Sequence, residues 1–361
     1  MEPYQTEEIS ILKSTWKKNE HGVWIGHDLK ALELKPREGC KTNYFKIKDE
    51  INLLTERPGA IFKDIFSTFG TTEFLVRQSI VPVVAWNEGD EYMRCIGTGF
   101  FISATGLLMT AAHVLRDPVD EEYTSLTQVD KNSFRLDNAL RFGVLLPANP
   151  AMNNAPDIFG VNPAIRDAKW FMAPFEWACH WGKEDESPLF HQKADFKLDI
   201  DIAICKIRSN DVLGTYQPLN IGLHNLQVGN RAIAIGYAEM NERIPFKTDE
   251  DLQPELVVSV GSVTNIYHDN ITEKQSSTPG PCFDFDAKIP GKMSGSPILV
   301  GSGILTKGVV SRSLGADENH ATGCLVAPAM TLELESYGGK SLLDLMNTGN
   351  EGIAKFRGPN L

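Results

Sequence analysis

From about residue 76 the chain is written in short apolar runs set off by polar or turn-forming residues. "SIVPVVAW" is β-branched and bounded by polar positions. "MRCIGTGFFIS", a turn at Ala104-Thr105-Gly106, and "LLMTAAHVL" read as strand, turn, strand. "DIDIAICKI" alternates as a strand does. "NRAIAIGYA", "ELVVSVGSVTNIY", "CFDFDAKI", "SPILV", "ILTKGVVSRSL" and "ATGCLVAPAM" follow at short intervals, separated by Gly, Pro, Asn or Asp. Many short strands without alternating helices predict a mostly β protein, an antiparallel sandwich or barrel rather than a doubly wound sheet. "SLLDLM", Ser341 to Met346, reads as a short helix with Ser341 as its N-cap.

The flanks are less patterned. Residues 1–75 hold isolated apolar strings such as "GVWIG", and "GAIFKDIFSTF" predicts a helix. No chemistry stands out there, so this part is expected to be an N-terminal extension, accessory or regulatory. Residues 118–197 are irregular and rich in Pro, Asn and aromatics. Long irregular segments inside compact domains are usually functional or mobile. The apolar content of this one predicts that part of it packs down. The chain shows no 20–50-residue repeat.

Composition narrows the picture. The chain has 361 residues, 42% hydrophobic and 23% charged, enough for two or three domains and a sizeable core. Its formal net charge of -12 is diffuse, which argues against a nucleic-acid or anionic-membrane partner, since both need clustered Lys and Arg. Cys40, Cys95, Cys179, Cys205, Cys282 and Cys324 are scattered, with no zinc-ligand spacing, and there is no HExxH. No metal or cofactor is expected. The acidic, polar start "MEPYQTEEIS" lacks a signal-peptide pattern, and no run approaches the ~18 apolar residues of a membrane span. The expected compartment is a reducing cytoplasm.

Three residues carry candidate chemistry, in the order His, Asp, Ser. His113 stands in the apolar run "TAAHVL", Asp201 heads the strand "DIAI", and Ser294 lies in "GKMSGSP". Each has a plain reading: a locally satisfied core histidine, a strand-start carboxylate (Asp199 has the same parity), and a turn serine. Together, in one order and each in its own context, they point to nucleophilic catalysis. A serine hydroxyl is a weak nucleophile unaided. A neutral imidazole can take its proton during attack and return it to the leaving group. A carboxylate on the other ring nitrogen fixes the tautomer.

These residues resemble the trypsin-like, chymotrypsin-fold serine peptidases, especially bacterial and intracellular members without disulfides. The resemblance spans about 76–330. "GTGFFISATGLLMTAAHVL" is similar to the pattern around the family's histidine, and "PLNIGLHNLQVGNRAIAIGYA" to the start of its second barrel. "FDFDAKIPGKMSGSP" resembles the approach to its nucleophile, and "GVVSRSL" the strand that pairs with the substrate backbone. The resemblance implies two antiparallel six-stranded β-barrels with the active site between them. The first would occupy 76–212, with an insertion at about 118–197, the second 213–330, and a helical tail 331–361. It further implies Ser294 as nucleophile, His113 as general base and then acid, and Asp201 as orienter. The backbone N–H groups of Lys292 and Ser294 would form the oxyanion hole. Ser311, Arg312 and Ser313, with Lys288, would wall the pocket for the side chain before the cut bond. A cation at Lys288 would favour an acidic side chain, and a solvated surface lysine is the plain alternative.

Two departures stand out. The position two before the serine, commonly glycine in the family, is Lys292, so some backbone conformations become costly and formation of the oxyanion loop can depend on substrate or a partner. The position before the serine is Met293, not aspartate, which rules out activation by an ion pair with a newly cut N-terminus. Control is then expected through residues 1–75, the 118–197 stretch or a regulatory protein. The expected activity is a serine endopeptidase acting on a protein or peptide through an acyl-enzyme. A catalytically inactive peptidase-fold module that binds protein is the alternative. An α/β-hydrolase would need G-x-S-x-G and the triad order Ser, Asp, His, and neither is present.

Overall fold

The computed structural model describes residues 78–116, 140–147, 170–183, 197–207, 216–223, 226–238, 240, 243–246, 255–267, 278–300, 305–314 and 320–353, and the backbone of strands at 4–18, 24–36, 60–63, 126–130 and 133–136. At the N-terminal end, β1 (Tyr4–Lys18) and β2 (Trp24–Pro36) pair antiparallel, and β3 is Ala60–Lys63.

The first barrel is built from β4 (Ile80–Asn87), β5 (Tyr92–Phe101) and β6 (Leu107–Thr110), then from three later strands. Between them β7 (Leu126–Asp130) and β8 (Ser133–Leu136) form a separate two-stranded ribbon. β9 (Leu140–Pro147), β10 (Trp170–Lys183) and β11 (Lys197–Ile207) complete the wall in the order β5-β4-β9-β10-β11-β6, and β6 closes back on β5. Closure pairs each of the six staves with two neighbours. The irregular stretch 118–197 therefore contains two of the six staves, and the apolar packing expected of it is found in the barrel wall itself.

The second barrel uses β12 (Arg231–Ala238), β14 (Glu255–Tyr267), β15 (Cys282–Phe285), β16 (Pro297–Val300), β17 (Thr306–Leu314) and β18 (His320–Leu325). Its ring runs β12-β16-β17-β18-β15-β14 and closes from β14 to β12. Among the described residues, each ring carries one extra strand. β13 (Ile244–Pro245) adds to β5 in the first, and β3 adds to β14 in the second. The helix expected over 59–69 is thus corrected at its start. Ala60–Lys63 is strand, in register with Val257–Val260. β14 pairs with β15 only from Val263 onward, which leaves the N–H and C=O row at Val257–Val260 to pair with β3, so tertiary pairing overrides the local pattern. The remainder of that window lies outside the described residues.

Apolar residues fill both rings. Phe100, Ile102, Leu108, Met109, Ile202 and Ile204 are fully buried in the first, and Val257, Phe283, Phe285, Val309 and Val310 in the second. After β18 come a helix at Val326–Ala329, the short pair β19 (Glu333–Leu334) and β20 (Lys340–Ser341), and a helix at Leu342–Thr348. The Ser341 N-cap expected from the sequence is present. Its hydroxyl accepts from the Asp344 N–H at 3.2 Å, and the Ser341 N–H donates to the Asp344 carboxylate at 2.9 Å. This tail rests on the first barrel. Trp181 donates to the Glu333 carbonyl, Ala104 N–H to the Gly352 carbonyl, and Lys206 Nζ lies 3.8 Å from the Glu351 carboxylate. Among the described residues, no helix is long and apolar enough to cross a membrane.

Candidate active site

β6 ends at Thr110 and the chain turns at once into a five-residue helix, Ala112–Arg116, on which His113 is the second residue. Ala111 and Ala112 are fully buried and Val114 nearly so, which anchors the turn. The imidazole keeps 21% of its surface exposed. The register Ala203↔Thr110 runs β11 on past the end of β6 and brings Asp201 beside that first turn. Asp201 is 1% exposed and grips His113 twice. Oδ1 accepts the His113 backbone N–H at 2.9 Å, and Oδ2 lies 2.7 Å from Nδ1.

Burial alone would raise the Asp201 carboxyl pKa. The charge and hydrogen bonds of His113, and the hydroxyl of Ser311, outweigh it and hold the carboxyl at about 2. An ionised carboxylate can only accept, so Nδ1 must carry the proton it shares with Oδ2. In the neutral ring, Nε2 is then left as the acceptor.

Ser311 lies on β17, fully buried, at a bulge between the pairs Val310↔Gly323 and Arg312↔Thr322. A bulge re-aims the extra residue. Here its hydroxyl donates to Asp201 Oδ2, while its carbonyl accepts the Ser294 hydroxyl at 3.3 Å. His113, Asp201, Ser311 and Ser294 therefore form one hydrogen-bonded series that crosses from the first barrel to the second.

Ser294 sits in the tight turn between β15 and β16. That turn is seated against the first barrel through Thr98 of the "GTGFF" run. The Thr98 N–H donates to the Ser294 carbonyl at 2.8 Å, and its hydroxyl donates to the Lys292 carbonyl at 3.2 Å and accepts the Tyr237 N–H at 3.0 Å. Two glycines permit the approach. A Cβ at Gly97 would stand 2.8 Å from Val114 Cγ1 and 2.9 Å from the Ser294 carbonyl oxygen. One at Gly295, where φ is +87°, would meet the Thr98 carbonyl oxygen at 2.1 Å. Lys292 is the one non-glycine residue with positive φ among those described, at 72°. Neither its N–H nor that of Ser294 donates to a backbone carbonyl among the described residues.

The expected pocket residues are spread around this turn. Arg312 and Ser313 are exposed on β17, and Lys288 is half-buried, its carbonyl accepting from the Ser259 hydroxyl. Ser311, expected to help wall that pocket, has its side chain turned inward onto Asp201. Sequence reasoning did not single out Thr98, nor the buried hydroxyls of Thr278 and Thr322 behind Ser311. For Thr98 a signal existed, a hydroxyl between two glycines that the barrels approach. For the other two nothing local distinguishes them from ordinary strand and loop threonines. Among the described residues, no cluster of His, Cys, Asp and Glu could hold a metal ion.

The trypsin-like peptidase domain pattern matches residues 97–305, more than half of the chain. No curated protein matches the sequence. Among solved structures the chain is similar to Deg5, with TM-score 0.37 and 19% identity, covering 69% of this chain and 87% of that one. It is also similar to the protease Anisep from Arthrobacter nicotinovorans, with TM-score 0.38 and 13% identity, covering 69% and 90%. A third is the inactive form of Rv3671c from M. tuberculosis, with TM-score 0.37 and 14% identity, covering 81% and 97%. With two closed six-stranded barrels and a domain match that includes His113, Asp201 and Ser294, the chain belongs to the trypsin-like peptidases, a family of serine-type hydrolases.

Proposed function

We propose that this chain is an endopeptidase that cleaves a protein or peptide through an acyl-enzyme, with Ser294 as nucleophile, His113 as general base then acid, and Asp201 as orienter. The observation that carries the reading is the double grip of Asp201 on His113, through both the backbone N–H and Nδ1. A carboxylate held at about 2 stays charged at any working pH, keeps the proton on Nδ1 and stabilises the imidazolium formed during attack. Ser294 moves its hydroxyl hydrogen bond from the Ser311 carbonyl to Nε2, where the proton is taken as Oγ bonds to the scissile carbonyl carbon. The imidazolium then protonates the leaving amine, and water repeats the sequence to release the acyl group.

The oxyanion of each tetrahedral intermediate is received by the N–H groups of Lys292 and Ser294, which have no backbone acceptor among the described residues. Lys292 supplies its N–H from the left-handed conformation, with a side chain where the family commonly has none. The exposed residues Arg312 and Ser313 flank the bound chain, and Lys288 contributes to the pocket for the side chain before the cut bond. Restraint of the activity falls to the N-terminal extension or to a protein partner.

A fluorophosphonate probe tests the assignment. It should label Ser294, and His113→Ala should abolish labelling. Cleavage of a proteome-derived peptide library should fall to background in Ser294→Ala, a loss of several orders of magnitude. Label on another residue, or cleavage that survives Ser294→Ala, overturns the reading.

A further inference from the structure

Behind Ser311 the buried hydroxyls continue. Thr278 Oγ1 donates to Ser311 Oγ at 3.2 Å, and Thr278 Oγ1 and Thr322 Oγ1 are bonded to each other. All three residues are buried, Ser311 and Thr322 fully and Thr278 at 5% exposure. Each hydroxyl has one hydrogen, so the direction of the series is determined. Ser311 donates to Asp201, Thr278 donates to Ser311, and Thr322 must therefore donate to Thr278.

Each of these hydroxyls is held from a different element. Thr322 is on β18, opposite Arg312 on β17 and Asp284 on β15. Ser311 is at the β17 bulge. Thr278 is in the segment leading into β15, and that segment is held in place. The Cys282 thiol donates to the Thr278 carbonyl at 3.6 Å, the Cys324 thiol to the Pro279 carbonyl at 3.4 Å, and the Leu325 N–H to the Pro281 carbonyl at 2.9 Å. Valine would fill either threonine site as well by volume, so packing alone does not call for a hydroxyl there.

We propose that Thr278 and Thr322 are positioning residues for the His113–Asp201 pair, acting through Ser311. The inference rests on the catalytic roles assigned above. A hydroxyl that itself receives a hydrogen bond is a stronger donor, because bonds in series polarise one another in a low-dielectric interior. Thr322 and Thr278 keep the Ser311 proton on Asp201 Oδ2, the oxygen that His113 Nδ1 also uses. They fix the carboxylate's rotation and draw off part of its charge, which sets how strongly it holds the imidazolium. Besides His113, the thiol of Cys324 lies near Asp201. Burial pushes it well above its usual range, so it brings no charge.

The test uses the full chain with 13C-labelled histidine, the His113 signal being assigned by its loss in His113→Gln. Thr278→Val should raise the His113 titration midpoint, in the direction of Ser311→Ala and by less. Its kcat should fall about two- to tenfold with KM unchanged, because the carboxylate loses the fixed rotation that orients the His113 ring, a loss that outweighs the firmer hold on the imidazolium and has the size of one neutral hydrogen bond. Thr322→Val should shift both in the same direction by a smaller amount, and Thr278→Ser, which keeps the hydroxyl, should restore both. Should Thr278→Val fail to fold, Thr322→Val and Thr278→Ser carry the comparison. Wild-type titration in both valine variants, with a shift only in Ser311→Ala, overturns the proposal, as does equal impairment of Thr278→Ser. If the midpoints move as expected while Ser294→Ala still cleaves peptide, the relay stands and the nucleophile assignment falls.

Discussion

Lys292 concentrates the residue-scale physics of the turn that carries Ser294. A side chain at φ 72° brings Cβ close to its own carbonyl oxygen, at a cost of about 1–2 kcal/mol. The conformation persists because the surroundings hold both peptide groups. The Thr98 hydroxyl takes the Lys292 carbonyl, the Thr98 N–H takes the Ser294 carbonyl, and fully buried Met293 lies between them. Gly291, one residue earlier, does not use positive φ. The conformational freedom of glycine is thus one position away from where the turn needs it. Lys292→Gly should therefore raise stability by about 1 kcal/mol, measured by urea unfolding, and should preserve peptide cleavage because the N–H remains. An unchanged midpoint would mean that the turn already absorbs the strain.

At the scale of elements, the turn between β15 and β16 works only because it lies against β5 and β6. Thr110 Oγ1 donates to the Thr98 carbonyl at 2.7 Å, and Gly295 packs onto that pair with no room for a methyl group. Gly295→Ala would put a Cβ 2.1 Å from the Thr98 carbonyl oxygen and 2.2 Å from Thr110 Oγ1, at a φ of +87°. The turn would have to lift off the first barrel. The expected loss is about 3 kcal/mol or more in denaturant unfolding, with cleavage lost as well. Gly291→Ala is the control, since nothing lies within 4 Å of a Cβ there, and it should be near neutral. The β17 bulge is the second such device, since without its extra residue Ser311 would not be re-aimed toward Asp201.

At the scale of the whole molecule, the bonded series from His113 to Ser294 joins the two barrels, and its charge makes their stability depend on pH. The Asp201 carboxyl falls from 3.8, its ordinary value, to about 2 on folding. Below 3.8 the unfolded chain binds the proton more readily than the folded one. Stability from this group is therefore complete above about pH 4 and is lost as pH falls through 2. The lost contribution is on the order of 2 kcal/mol. In urea unfolding followed from pH 6 to pH 2, the stability gap between wild type and Asp201→Asn should narrow by about that amount. A gap constant with pH would show that the carboxylate gains nothing from His113 and Ser311.

Much of this architecture was readable before folding, and the exceptions have physical causes. "GTGFFIS" and "DIDIAICKI" became β5 and β11 because their runs are apolar, short and bounded by turns. β10 was harder to see. Phe175, Trp177 and Cys179 alternate with exposed Glu176 and Ala178, yet the surrounding Pro and Asn residues read as loop. Its partly buried side turns toward the tail, where Trp177 meets Tyr337 edge-on at 6.0 Å. The local pattern at β3 favours helix because the segment it joins belongs to β14, nearly two hundred residues away.

By itself the sequence determined the strand-rich class, the residue types able to do nucleophilic chemistry and the order in which they occur, because apolar period, turn residues and side-chain chemistry are local properties. Only the tertiary structure decided that Ser311 faces Asp201, that Lys292 bears the left-handed conformation, that Thr98 joins the two barrels, and that Thr278 and Thr322 stand behind the carboxylate. Those relations depend on barrel closure and strand register, which bring together groups that no pattern along the chain connects.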